Sequence, residues 1–470
     1  MNRLLIAITL SVVSLLSITG CSTPHDVGLL KQESKQLASD EFTRSEPQKL
    51  PDEIEDIQMI QQDVRKFADA ITTPISEAEQ NLAVKRFREH FFSPWSSKEP
   101  IYSISESVAG MKEVAKTTWY GENRLKIPSE RVNRVLVHAM LDTIPSMNRP
   151  GIVITPTFMR GLPTLKPFYE TADDFPFDQL QYTEVKQNEP VRVLHISKSG
   201  GWAFIETAFG QGWVKSDSVV DVDDAIRQRF ASSELVVVVI DFAVVRDERG
   251  KSLPLPKIGT LYPLIKEEQD YWLVGVAVGG EDDRAILKTA RISKKAARRF
   301  PLPFNAETVT HVGNELLKTP YGWGELFRDR DCSASTRDFF MPFGIWLPRN
   351  SRQQINSGPL VSLENLSKPE KENLLRQQGV PFRTLLHRKG HIMLYAGLFN
   401  DKPVIFHNTW AIRFKTKREE EEKFYIGRTV LTTLEAGLEL PLSRGTILDH
   451  LDGMLLLPAA NPQESTGNSR

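Results

Sequence analysis

The chain has 470 residues, too many for one ordinary core, so three or four domains are expected. Its 40% apolar and 25% charged content is that of a soluble globular protein. A formal net charge of -1 gives no global pull toward nucleic acid, and no basic run interleaved with aromatics supplies a local one, so no nucleic-acid partner is expected.

The first element is an apolar run from Leu4 to Ile18 behind Arg3, ending in Ile18-Thr19-Gly20-Cys21. It is too short for a comfortable membrane span and has the layout of a signal peptide over 1–21. The residues before Cys21 resemble the bacterial lipobox, whose cysteine is lipidated after cleavage. By that resemblance the protein is exported and held to a membrane through lipid on Cys21. Ser22 at the next position implies the periplasmic face of the outer membrane. Of the two cysteines only Cys332 then remains, a thiol with no disulfide partner.

Residues 22–52 are polar and read as a flexible tether. Residues 53–145 carry a helical pattern with an aromatic cluster at Phe91, Phe92 and Trp95, and no evident chemistry. A weak repeat follows. Shifting by 70 residues brings Val191 onto Leu261 and Trp202 onto Trp272 (202 + 70 = 272), each Trp standing between two β-rich runs. Two small barrels are expected, over 146–225 and 232–298. They resemble tandem bacterial SH3 domains, with the Trp residues as core.

From about 300 to 460 the texture changes. An amphipathic helix is expected from Ala306 to Leu317, then a turn-rich passage Thr319-Pro320-Tyr321-Gly322-Trp323-Gly324. Asp331 is a good N-cap, which places Cys332 in the first turn of a helix, where the dipole favours a thiolate. Asp331 itself opposes ionisation, so a base must assist. Two strands, one opening at His391 and the other carrying His407, are joined at Asn400-Asp401-Lys402. Paired antiparallel, they bring the two imidazoles together, one facing the thiol and the other orienting it. One Cys and two His fall short of a closed zinc set, and neither a metal nor another cofactor is implied.

The passage at Thr319–Gly324, the triplet Asp331-Cys332-Ser333, the run Leu347-Pro348-Arg349-Asn350-Ser351-Arg352-Gln353-Gln354, and His391 to Gly397 resemble the successive signatures of NlpC/P60 cysteine peptidases. The whole chain is similar to the multidomain type with a stabilising N-terminal domain and two SH3 domains. The resemblance implies an α+β fold, with a papain-like catalytic domain behind two SH3-like barrels and a mostly helical N-terminal region. It also implies hydrolysis of the γ-D-glutamyl–diamino acid amide, usually to meso-diaminopimelate, in peptidoglycan stem peptides. Cys332 would be the nucleophile, His391 the base and His407 the orienting residue. Asp331, Ser333 and Tyr321 would hold the free amine of the stem's L-alanine, favouring released peptides over intact wall by on the order of 10²-fold. Two positions depart from the family, Ala334 and Glu325 standing where Gly is common. The competing expectations are a non-catalytic wall-binding lipoprotein and an amidase or acyltransferase on the same fold.

Overall fold

The computed structural model describes residues 50–71, 75–415, 420–441 and 445–458. The signal segment, Cys21, nearly all of the 22–52 tether and the tail beyond Pro458 lie outside the described residues. Among the described residues, no helix is long and apolar enough to cross a membrane.

Local sequence explains the first helices. In α1 (Glu77–Phe91) the Ser76 hydroxyl accepts from the Glu79 amide, and the Glu79 carboxylate accepts from the Ser76 amide, a capping box. Helices α2 (Ile104–Glu113) and α3 (Ser129–Ala139) follow. The helical segment nevertheless has no core of its own. Ile60, Val64, Phe67 and Phe87 are buried with Val309, Phe339 and Ile392 of the C-terminal region, whereas Met111, Trp119 and Val132 pack on Trp202, Phe204 and Trp213. An amphipathic helix buries one stripe wherever an apolar partner is offered, and here two different bodies offer one.

The first sheet has seven antiparallel strands: β1 (Arg149–Val153), β2 (Thr157–Arg160), β3 (Gln181–Val185), β4 (Pro190–Ile196), β5 (Trp202–Thr207), β6 (Gly210–Lys215) and β7 (Val219–Asp221), in the order β3-β2-β6-β5-β4-β1-β7. Strand alternation sends Trp202 and Phe204 to the face covered by α2 and α3, and Ala203 and Ile205 to the opposite one. Helix α4 (Asp224–Ser232) leads to a second sheet of six strands. These are β8 (Leu235–Val238), β9 (Val245–Asp247), β10 (Leu261–Glu267), β11 (Tyr271–Gly279), β12 (Ala285–Ser293) and β13 (Ala297–Arg299). The sequence repeat corresponds to hairpin β4–β5 in one sheet and β10–β11 in the other. Trp202 and Trp272 are both buried, as core residues should be.

The C-terminal region packs α5 (Ala306–Leu316), α6 (Cys332–Phe340) and α7 (Lys368–Gln378) with a third antiparallel sheet. Its strands are β14 (Val361–Ser362), β15 (Thr384–Arg388), β16 (His391–Phe399), β17 (Lys402–Lys415), β18 (Glu421–Thr433) and β19 (Gly453–Leu456). Phe339 of α6 stacks among Phe340, Phe343, Phe382 and Phe406, which seats the helix on the sheet. Fully burying such a ring is worth roughly 1.5–3 kcal/mol. Strands β16 and β17 meet at Asn400-Asp401, both with positive φ (49° and 63°), the two-residue primed turn that matches strand twist.

Candidate active site

A cleft of about 680 Å³ runs between the C-terminal region and the first sheet. Cys332, His391, Tyr321, Asp331 and Ser333 all line it, so the separated sequence motifs converge on one place. Met159, Tyr182 and Phe209 of the first sheet region form the facing wall.

Asp331 caps α6 by accepting from the Ala334 amide at 2.9 Å, which leaves Cys332 as the first helical residue. Two side chains outside the helix hold this turn. Gln354 donates from Nε2 to the carbonyls of Ser333 and Pro348 and accepts from Thr336 Oγ1 at 2.6 Å. Asn408, on β17 beside His407, donates to the Arg330 carbonyl at 2.9 Å, two residues before the thiol. The thiolate form of Cys332 would be stabilised by the backbone amides of Ile392 and Ser333 and by Arg349. Burial outweighs them, with the Asp331 charge acting in the same direction, and the thiol is pushed up to about 12. The expectation of a dipole-lowered thiol is thereby reversed, because desolvation of the half-buried sulfur and the Asp331 charge together exceed the help of the helix N-terminus.

The imidazoles are oriented as a chain. His391 Nε2 lies 2.9 Å from His407 Nδ1, and His407 Nε2 lies 3.1 Å from Thr432 Oγ1. Thr432 donates its own proton to the Thr433 carbonyl at 2.9 Å. Its oxygen therefore accepts from His407 Nε2–H, His407 Nδ1 accepts from His391 Nε2–H, and His391 Nδ1 is left with a free lone pair. Burial, followed by the neighbouring His407, Arg388 and His387, holds His391 well below its ordinary value. Burial and Arg388 lower His407 to about 3. The resting pair is thus a neutral thiol and a neutral imidazole.

The opposite side of Cys332 carries charge. Arg349 donates from Nη1 to Asp331 Oδ1 at 3.0 Å and from Nη2 to Oδ2 at 2.7 Å, a two-pronged pairing. Its Nη1 also reaches Ser333 Oγ at 2.7 Å and its Nε reaches Thr183 Oγ1 of β3 at 2.7 Å. Glu325 Oε2 lies 3.5 Å from the same Nε and accepts from the Thr183 hydroxyl. Lys257, fully buried in the loop before β10, bridges Glu325 at 3.1 Å and Glu184 at 3.2 Å. A parallel network joins Lys186, Asp338, Arg330 and Asp241. Both β-sheet regions are tied by buried ions to the ground just behind the cleft.

Gly324 allows this approach: with φ +55°, a Cβ there would stand 2.3 Å from the Gln181 carbonyl oxygen of β3. Tyr321 contacts Trp410 across the cleft, and burial, with Cys332 and Asp331 as negative neighbours, pushes its phenol far up. Sequence reasoning missed Arg349, Gln354, Asn408 and Thr432. The first two lie inside the Leu347–Gln354 run already singled out, whereas nothing short of strand register signals the others.

Residues 8–143 match the NLPC_P60 stabilising domain of N-terminal type, residues 163–215 the SH3 domain of SH3b1 type, and residues 318–424 the NlpC/P60 family. No curated protein matches the chain. Among solved structures, a novel NlpC/P60 endopeptidase from Photobacterium damselae subsp. piscicida is similar, with 21% identity over 85% of this chain and 98% of that one, at a TM-score of 0.77. An NlpC/P60 family protein from Bacillus cereus ATCC 10987 matches at 16% identity over 66% of this chain and 100% of that one, at a TM-score of 0.43. With the fold shared with the first of these structures and three matched segments in order along the sequence, the chain belongs to the NlpC/P60 family of cysteine peptidases, in its form with a stabilising N-terminal domain and an SH3 domain ahead of the peptidase domain.

Proposed function

We propose that the protein is a peptidoglycan stem-peptide hydrolase that cleaves the amide between γ-D-glutamate and a diamino acid by a Cys332–His391–His407 mechanism. The observation that carries this reading is the shared cleft. It joins a half-buried thiol at the start of a buried helix to a histidine whose ring orientation is set from behind by His407 and Thr432. Because both partners are neutral at rest, proton transfer accompanies attack. As Cys332 Sγ bonds to the scissile carbonyl carbon, His391 Nδ1 takes the thiol proton as general base. The imidazolium then returns that proton to the departing amine, and water hydrolyses the acyl-enzyme by the reverse sequence. His407 accepts from His391 Nε2–H throughout and keeps the ring from turning. The family's peptidase chemistry and the lipobox-like residues before Cys21 support work at the cell wall by an exported, membrane-held enzyme.

The test is digestion of defined muropeptides with mass-spectrometric reading of the products. Wild type is expected to release peptides beginning at the diamino acid, and Cys332→Ala to release none while keeping its fold. Undiminished cleavage by a folded Cys332→Ala protein would sink the assignment.

A further inference from the structure

Among the described residues, the cleft offers no open anion to an ammonium group. Among the described residues lining it, Asp331 is the one carboxylate, and both its oxygens are occupied by Arg349. The arrangement is built in rather than incidental. Glu325, which helps hold Arg349, has φ +61°, a left-handed backbone that costs a non-glycine residue on the order of 1 kcal/mol. That strain is tolerated in a side chain that is fully buried between Lys257, Thr183 and Arg349.

The remaining charges of the cleft point the other way. Arg388, Arg413 and Lys423 also line it, and among the described residues none of their side chains makes a hydrogen bond or ion pair. The Arg388 Nε is buried without an acceptor. Arg413 and Lys423 are direct cross-strand partners in β17 and β18, a like-charge pairing that destabilises a sheet unless an anion visits it. Asp174, in the loop before β3, is within electrostatic reach of both but bonds to neither. Arg388 is the cross-strand partner of His391. It therefore flanks the imidazole that must protonate the departing amine.

Resting on the peptidase reading above, we propose that this cleft selects a stem peptide whose N-terminus is acylated and whose carboxylates meet the cleft's cations. That describes a stem still attached to the wall, not a released peptide with a free α-ammonium group. Arg349 fills the place an ammonium would take beside Asp331, and a free amine entering the cleft meets four cations and one neutralised carboxylate. An acetamide in the same place carries no charge to be repelled. The stem's carboxylates find Arg388, Arg413 and Lys423. This reverses the preference for released peptides that Asp331 suggested when read without its partner.

The experiment compares L-alanyl-γ-D-glutamyl-meso-diaminopimelate with its N-acetylated form. Wild type is expected to show a kcat/KM at least about tenfold higher for the acetylated peptide. Arg349→Gln, which opens the Asp331 carboxylate to the cleft, is expected to shift that ratio at least about tenfold toward the free peptide. Equilibrium binding of both peptides to Cys332→Ala protein reads the same selectivity without turnover, and needs no second variant to fold. Faster cleavage or tighter binding of the free peptide by protein with Arg349 intact overturns the inference and leaves the peptidase reading standing. A ratio equal in Arg349→Gln and wild type removes Arg349 from the role. Tighter binding of the acetylated peptide by a protein that cuts neither upholds the inference and overturns the peptidase reading.

Discussion

The two sides of Cys332 are built on opposite electrostatic plans. On one side His391, His407 and Thr432 form a neutral, desolvated hydrogen-bond chain that keeps one lone pair unprotonated. On the other, Asp331, Arg349, Glu325, Lys257 and Glu184 form a charged chain in which each ion is offset by the next. The neutral chain depends on one directional donor after another, so its failure should show in turnover. The charged chain depends on every ion having a partner, so its failure should show in stability. The comparison teaches that burial can preserve a neutral imidazole on one side and rigidify the turn that carries Cys332 on the other.

The sharpest way to break the comparison is at the base. His391→Ala is expected to lower kcat by about 10²–10⁴-fold with little change in thermal midpoint. Retained turnover would show that the neutral chain does not serve catalysis. On the charged side, Lys257→Met leaves Glu325 and Glu184 buried without their shared cation. A loss of about 3–5 kcal/mol is expected from urea denaturation, and a variant as stable as wild type would mean the network is not cohesive.

Titration sharpens the contrast further. His407 is lowered from 6.5 to about 3, so between those values the unfolded chain binds a proton that the folded one refuses. Stability from this group is therefore lost as pH falls below about 6.5, on the order of 1–2 kcal/mol by pH 5. His407→Asn should flatten that part of the stability–pH curve relative to wild type; parallel curves would contradict the burial of a neutral ring.

The smallest effect is expected at Thr432. Thr432→Val removes the acceptor of His407 Nε2–H and should lower kcat about tenfold, with Thr432→Ser close to wild type. The pH profile of Cys332 alkylation by iodoacetamide should move in the Val variant and not in the Ser variant. Identical profiles in all three proteins would reduce Thr432 to packing.

Much of the site was readable because its signals are local. Asp331 ahead of Cys332 is a cap whatever surrounds it, and Asn400-Asp401 closes a hairpin by its own backbone preference. The repeat aligning Trp202 with Trp272 marks two β-rich regions because strand alternation is written residue by residue. What covers the helical segment was not legible, because amphipathic periodicity reports that a helix has an apolar stripe, not what packs on it. The partner of Asp331 was not legible for a related reason: Arg349 stands 18 positions away, and its run does not announce which carboxylate the guanidinium meets.

By itself, the sequence determined which side chains could do chemistry, which turn presents the Cys332 thiol and which strands carry the imidazoles. Only the tertiary structure decided their states. Burial of the sulfur, rather than the helix dipole, sets the thiol's proton. The hydroxyl of Thr432, fixed by its bond to the next carbonyl, sets the tautomers of two histidines. A lysine from the second sheet region neutralises a glutamate from the C-terminal region, which helps hold the arginine that neutralises Asp331. Charge and protonation depend on desolvation and on partners distant along the chain, and those distances exist only once the chain has folded.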